Sequence, residues 1–409
     1  MSLPPNSSAD DDASAQLTQP SRRSALGLLL GAPLLSACGT SLSTSELFKS
    51  SEQPPAAAPQ QPATIGAGQV RVGLILPLSA QGNAAVAAQS LKNAADLALA
   101  EFQNPNIQLL VKDDAGNAQT AQQVTQQAID EGAEIILGPL FAITIPAAAQ
   151  AARARNIPVI AFSTDSSVAG RGVRLLSFLP ESDVNRIVEF AATSGKRSFV
   201  AMVPANAYGN VVEIAFKQAV ARRGGRVVAF ERYSNDAGQM QTAARNIAQA
   251  QRGADSLFLA DDGEMLAQIG GMLASNGVAL QSLQLMGTGL WDHPQVFATP
   301  ALQNGWYAAP DASGFRAFAG RYRSRFGNEP VRTATLAYDA VALVAALVKT
   351  QGPQRFSDQI LNNASGFTGI DGLFRFRADG TNERGLAVMK VAQGGGQIIS
   401  PSPKSFGAA

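Results

Sequence analysis

The sequence predicts an α/β fold of two comparable, doubly wound lobes, and three observations carry that reading. From Gln69 onward, short aliphatic and β-branched runs alternate with Ala-rich stretches at helical spacing, the pattern of parallel strands covered on both faces. The alternation runs through twice. At 409 residues, 46% hydrophobic and 15% charged, the chain also carries enough apolar material for more than one core.

Taken from the N-terminus, a polar, acidic stretch over 1–20 precedes Arg22 and Arg23 and an apolar run from Ala25 to Leu35. That run is about the length of a secretory signal's apolar region and too short to cross a bilayer. It ends in Leu35-Ser36-Ala37-Cys38, which resembles the bacterial lipobox, where cleavage leaves a lipid-modified cysteine as the first mature residue. Residues 1–37 are therefore expected to be a signal peptide with an N-terminal extension, and Cys38 the lipidation site. The paired arginines leave the general and twin-arginine export routes both open. Gly39 stands where the sorting rule of enteric bacteria places an Asp for inner-membrane retention, which favours the outer membrane. Residues 38–68, rich in Ser, Pro, Ala and Gln, read as a flexible tether.

In the body, strands are expected over 70–76, 107–111, 134–137 and 158–161, each too short to be a helix. Between them Ala87, Leu91, Ala94, Ala95, Ala98 and Phe102 recur on one helical face, and 120–131 and 145–155 read likewise. The second set has strands over 199–203, 226–230, 256–260 and 284–286, with helices over 209–222, 239–251 and 264–274. Ligands of such sheets sit beyond the carboxyl ends of the strands. That rule selects the loops 77–82, 138–142, 162–166, 204–208 and 261–264 as the walls of one cleft.

Composition removes several classes of function. Lys and Arg number 32 against 31 Asp and Glu, a formal charge of +1, with no basic stripe for nucleic acid. One cysteine and one histidine, Cys38 and His293, leave no zinc set, thiol pair or disulfide framework. There is no Gly-x-Ser-x-Gly elbow and no phosphate loop, and Asp113-Asp114 reads as structural, so neither an enzyme nor a cofactor is expected.

Specific landmarks then occur in order: Val72-Gly73-Leu74-Ile75-Leu76-Pro77-Leu78-Ser79, Ile136-Leu137-Gly138-Pro139-Leu140, Ile157-Pro158-Val159-Ile160-Ala161, Ala207-Tyr208-Gly209, Tyr338-Asp339-Ala340-Val341 and Phe367-Thr368-Gly369-Ile370-Asp371-Gly372. Together they resemble the leucine/isoleucine/valine-binding protein family over about Gln69 to Val391. The resemblance implies the type I periplasmic-binding fold: two Rossmann-like lobes joined by a three-stranded hinge that closes on a ligand. Lobe 1 is then expected at 69–180 plus 329–366, and lobe 2 at 181–328 plus 367–402.

The same resemblance implies the site. Family members hold a ligand carboxylate at the loops matching Leu140, Phe141 and Ser163, Thr164, Asp165. Here the first loop offers no hydroxyl through Ile143, and Asp165 opposes a carboxylate. Asp261, Asp262 and Glu264 stand where the ligand ammonium is received, compatible with a cationic or amine-bearing ligand; the competing reading is solvated turn residues before a helix. Tyr208 matches an aromatic wall or is a core tyrosine satisfied elsewhere. Ser79 either contacts the ligand or caps the next helix. Trp291 and His293 fall in a loop of lobe 2, with a structural role favoured for His293.

Leu140-Phe141-Ala142, Val168-Ala169-Gly170 and Leu179-Pro180-Glu181 also resemble lipoprotein activators of penicillin-binding proteins, which share the fold. The expectations are accordingly a periplasmic, lipid-anchored binding protein for a small polar ligand, served by an ABC permease, or an activator that meets a peptidoglycan synthase by protein contact. Contact with the membrane is expected through the lipid anchor alone.

Overall fold

The computed structural model describes residues 64–406; the signal segment, Cys38 and all but the end of the tether lie outside the described residues. The chain opens with β1 (Thr64–Ile65), β2 (Val70–Leu76), α1 (Asn83–Glu101), β3 (Ile107–Asp113), α2 (Ala118–Asp130), β4 (Ala133–Leu137), α3 (Ile145–Arg153), β5 (Val159–Ala161) and β6 (Val173–Leu175). These strands form one sheet in the order β1-β3-β2-β4-β5-β6, parallel except for β1 against β3. Successive side chains of β2 point to opposite faces. Val72, Leu74 and Leu76 join the core under α1, while Ile75 joins the one under α2 and α3. Each such fully buried aliphatic side chain contributes on the order of 1.5–3 kcal/mol.

The second set follows as α4 (Pro180–Thr193), β7 (Ser198–Pro204), α5 (Ala207–Arg222), β8 (Arg226–Tyr233), α6 (Ala237–Ala250), β9 (Ser256–Leu259), α7 (Gly263–Ser275), β10 (Gln284–Gly287), α8 (Pro294–Ala298) and β11 (Trp306–Ala309). Then come α9 (Ala312–Phe326), α10 (Ala334–Thr350), α11 (Asp358–Leu361), β12 (Phe367–Gly369), β13 (Gly372–Phe376), β14 (Asn382–Arg384), β15 (Ala387–Ala392) and β16 (Gly395–Ser400). The second sheet runs β16-β15-β11-β10-β9-β7-β8, with β7 to β11 parallel and β15 and β16 antiparallel. It too has a core on each face, one with Val200 and Met202 under α6 and α7, the other with Phe199, Ala201 and Val203 under α4 and α5.

The expected strands and helices are present, with ends shifted by a few residues, and two of the parallel strands were not anticipated. β6 carries Arg174 at its centre, buried and ion-paired to Asp358, which breaks the apolar run. β11 has no β-branched residue.

The lobe boundaries differ from those expected. Helix α9, expected in lobe 2, packs Phe318 and Tyr322 into the lobe 1 core, and Asn93 Nδ2 donates to Tyr322 Oη at 3.0 Å. Phe374 and Phe376 of β13 enter the same core, and β12, β13 and β14 form a small antiparallel sheet of their own. Helical spacing marks the buried face of α9 but not which sheet it meets. The chain therefore crosses between lobes after β6, after β11 and after β14. At the start, Thr64 and Ile65 pair with Leu110 and Leu109, so the last residues of the expected tether include a strand of the first sheet.

Candidate functional site

The loops at the carboxyl ends of the parallel strands are fixed mainly by their own backbone chemistry. After β2, the Ser79 amide donates to Asp113 Oδ1 at 3.2 Å, and Asp113 also accepts from the Ala115 amide at 2.8 Å. Asp114 is fully buried and accepts from the Gly116 amide, with its carboxyl pushed up by burial. Ser79 is exposed and does not cap α1, whose N-cap residue is Gly82. After β4, Gly138 has φ 91°, and a Cβ there would stand 2.0 Å from the Ile75 carbonyl oxygen, so the turn admits only glycine. The turn presents Leu140 and Phe141 half-buried and Ile143 71% exposed, while Thr144 Oγ1 is spent on the Phe141 carbonyl at 2.9 Å.

After β5, buried Ser163 accepts from the Asp165 amide at 3.1 Å, and Thr164 is exposed. Asp165 Oδ1 accepts from both the amide and the hydroxyl of Ser167, at 2.9 and 2.6 Å. On lobe 2, Gly209 brings the start of α5 so close to β7 that a Cβ would meet the Pro204 carbonyl oxygen at 1.8 Å. The preceding Tyr208 is thereby set to bond Thr288 Oγ1 at 2.7 Å. Tyr233 donates to Asp261, which also accepts from the Asp262 amide at 2.8 Å, and Asp262 caps α7 by accepting from the Met265 amide at 3.0 Å. Asp183, in the first turn of α4, accepts from the Gly289 amide at 2.9 Å.

Burial governs the titration of this wall. It raises the Tyr208 and Tyr233 hydroxyls above their ordinary range, so both stay protonated, and it raises the Asp261 carboxyl. Asp183 keeps partial access to solvent, yet protein atoms crowd it on enough sides to push its carboxyl up to about 7.

A second charged group packs against Ser177 and Phe178 of the first crossing segment. Arg332 grips Asp371 through two bonds of 2.6 and 3.0 Å, and Thr335 Oγ1 adds a third at 2.6 Å. Arg384, buried, donates to the Ser177 carbonyl at 2.8 Å. Both guanidinium groups lie over the ring of Phe178, at 4.7 and 4.6 Å from its centre. Asp339 accepts from the Ile370 amide at 2.8 Å, and burial pushes its carboxyl up to about 7.

A family model described as periplasmic binding protein matches residues 69–396. The chain belongs to the periplasmic binding protein family. No curated protein sequence matches it significantly. Among solved structures, a chain from Rhodospirillum rubrum provisionally described as a branched-chain amino acid ABC transporter superposes with a TM-score of 0.71 at 21% identity, covering 81% of this chain and 99% of that one. A solute-binding protein from R. palustris in complex with benzoate gives 0.57 at 19%, covering 83% and 98%. The branched-chain amino acid binder LivJ of Streptococcus pneumoniae, in complex with isoleucine, gives 0.55 at 18%, covering 81% and 99%. At these identities the likeness establishes the fold, a type I periplasmic-binding architecture.

In this periplasmic binding protein, the residues singled out from sequence fall in loops at the carboxyl ends of parallel strands: Ser79, Leu140, Phe141, Ser163, Thr164 and Asp165 on lobe 1, and Tyr208, Asp261 and Asp262 on lobe 2. Trp291 is fully buried with its Nε1 on the Leu259 carbonyl, and His293 Nδ1 caps α8 by accepting from the Gln295 amide at 3.3 Å, so both serve the fold. Sequence reasoning missed Asp183, Tyr233, Thr288 and the hinge pair Arg332 and Asp371. Asp183 had a local signal, an acid in the first turn after Pro180; the others are brought in by long-range packing. A separate groove of about 820 Å³ lies on the flank, between α4 and α5 of lobe 2 and the turn from β13 to β14 of lobe 1. Ser166 crosses its edge to bond Glu181 at 2.6 Å.

Proposed function

We propose that this is a periplasmic, lipid-anchored solute-binding protein of the ABC-transporter type, which closes two lobes around a small polar ligand and catalyses no reaction. The triple crossing between lobes carries the reading: short segments at 176–179, 310–311 and 385–386 join two otherwise self-contained cores, an arrangement suited to hinge closure. Cys38 is the anchor in this reading, an ABC permease the receiving partner, and Gly39 the reason for preferring the outer membrane. Ser79, Leu140, Phe141, Ser163, Thr164, Asp165, Tyr208, Asp261 and Asp262 are the proposed cleft residues.

A second reading, an activator that stimulates a peptidoglycan synthase by contact, is favoured by the flank groove, which offers a surface outside the cleft. Thermal unfolding against amino acids, amines, sugars and peptidoglycan fragments separates the two. A solute at a hundred times its Kd stabilises by about 2.7 kcal/mol. Stabilisation by any one class supports the solute reading. Silence across the set, together with retention of a penicillin-binding protein on the immobilised protein, overturns it in favour of the activator.

A further inference from the structure

Polar groups without a partner are unevenly distributed in this molecule. Among the described residues, seven buried side-chain nitrogen or oxygen atoms make no hydrogen bond within the protein. Four of the seven belong to Arg384, Asn382 and Asp339, and a fifth is Glu181 Oε2, two residues past the first crossing between lobes. A buried donor or acceptor left unpaired destabilises the arrangement that holds it. That cost gathers where the two lobes join, so it falls on their present orientation.

Arg384 is the centre of the group. It is 5% exposed, and its Nε donates to the Ser177 carbonyl, which also accepts from Asn382 Nδ2 at 2.9 Å. Nη1 and Nη2 bond nothing, although three carboxylates act on the guanidinium. Asp371 is taken by Arg332 and Thr335. Asp339, on α10, spends Oδ1 on the Ile370 amide and leaves Oδ2 unpartnered against Gly369, where a Cβ would stand 2.3 Å away. Asp183, in the first turn of α4, accepts from the Gly289 amide through Oδ2, and its Oδ1 bonds nothing among the described residues.

One guanidinium therefore stands between carboxylates of opposite lobes and is bonded to neither. Asp339 and Arg384 both belong to lobe 1, so lobe motion leaves their relation fixed. The relation of Arg384 to Asp183, on lobe 2, changes whenever the lobes turn.

We infer that Arg384 is a latch between the lobes: in a second lobe orientation its Nη groups close on the Asp183 carboxylate and join β14 of lobe 1 directly to α4 of lobe 2. The inference rests on the hinge closure proposed above and makes that closure proton-linked. The other charged and titratable groups facing the pair are Glu181 and the Tyr208 hydroxyl beside Asp183, and Arg332, Asp339 and Asp371 beside Arg384. In the present orientation burial, opposed by the Gly289 amide and by Arg384, pushes the Asp183 carboxyl up to about 7. Closure of Arg384 on the carboxylate favours the ionised form and lowers that value. The latched orientation therefore gains as pH rises toward 7, by up to about tenfold per pH unit, and the gain levels off once Asp183 is ionised in both orientations.

Energy transfer between dyes on Gln123→Cys of α2 and Gln249→Cys of α6, both exposed positions, in the full chain carrying Cys38→Ser, reads the lobe separation. Without added solute, two separations are expected, their ratio changing roughly tenfold or more from pH 5 to 7 and only about twofold from 7 to 8. Asp183→Asn, which keeps an acceptor for the Gly289 amide, is expected to abolish the change, and Asp339→Asn to retain it, with circular dichroism unchanged. Where Asp183→Asn does not fold, Arg384→Gln, which keeps a donor to Ser177, carries the same test. A pH response that survives in the variant overturns the pairing of Arg384 with Asp183. A separation indifferent to pH that still shifts with a solute of the thermal series overturns the latch and leaves hinge closure standing. Indifference to pH and to every solute removes hinge closure as well.

Discussion

The carboxylates of the hinge and those of the cleft rim are the same chemical group in opposite circumstances. At the hinge, Asp371 is closed off by Arg332 and Thr335, and Arg384 stands beside Asp339 and Asp183. At the rim, Asp165, Asp261 and Asp262 are held by hydroxyls and amides alone. A buried charge must be neutralised within the fold or it destabilises it, whereas a rim charge draws on solvent until something replaces the water. The hinge is thus neutralised within the fold, and the rim carboxylates are left to solvent.

The comparison breaks first at the hinge. Arg332→Met leaves Asp371 buried beside Thr335 without its bidentate partner, and a loss of about 3–5 kcal/mol is expected in denaturant unfolding. A loss under 1 kcal/mol would mean that Arg384 carries the neutralisation by itself.

Acid response is the next largest effect. Asp183 and Asp339 are both pushed up to about 7, above their ordinary value near 3.8. Between those limits the folded protein keeps protons that the unfolded chain has released, so stability is expected to fall as pH rises from about 4 to 7. Asp339→Asn retains the acceptor for the Ile370 amide and removes one of these protons. It should flatten the dependence by at most about 1.4 kcal/mol per pH unit, read from unfolding midpoints in a pH series.

The smallest effect sharpens the rim. Asp262→Ala removes the cap of α7 and is expected to cost about 1 kcal/mol of stability, measured in denaturant. A loss under about 0.3 kcal/mol would mean that the α7 terminus is satisfied without it.

What the sequence made legible follows from range. Alternation of period two and of helical spacing is local, so the strands from β2 to β5 and from β7 to β10, and the loops beyond them, were found without a structure. The assignment of α9 to lobe 1 depends on Phe318 and Tyr322 meeting α1, a contact more than 200 residues apart in sequence, and no local pattern encodes it. The candidate site divides the same way. Asp261, Asp262 and Tyr208 lie in loops that the strand ends select, whereas Tyr233, at the end of β8, and Thr288, just after β10, which hold Asp261 and Tyr208, each reach across an intervening strand. Ser79 was open between two roles, and the cap at Gly82 removes one of them.

The two-residue strand β1 sets the mechanics of the molecule. Because Thr64 and Ile65 are stitched to β3 at the edge of the first sheet, a pull arriving along the preceding chain is delivered to lobe 1 alone, and neither the hinge nor lobe 2 lies in the load path. In the proposed anchored, closing protein, lobe 1 is then the stator and lobe 2 the rotor, and a partner at a fixed position would read closure as movement of α4 and α5.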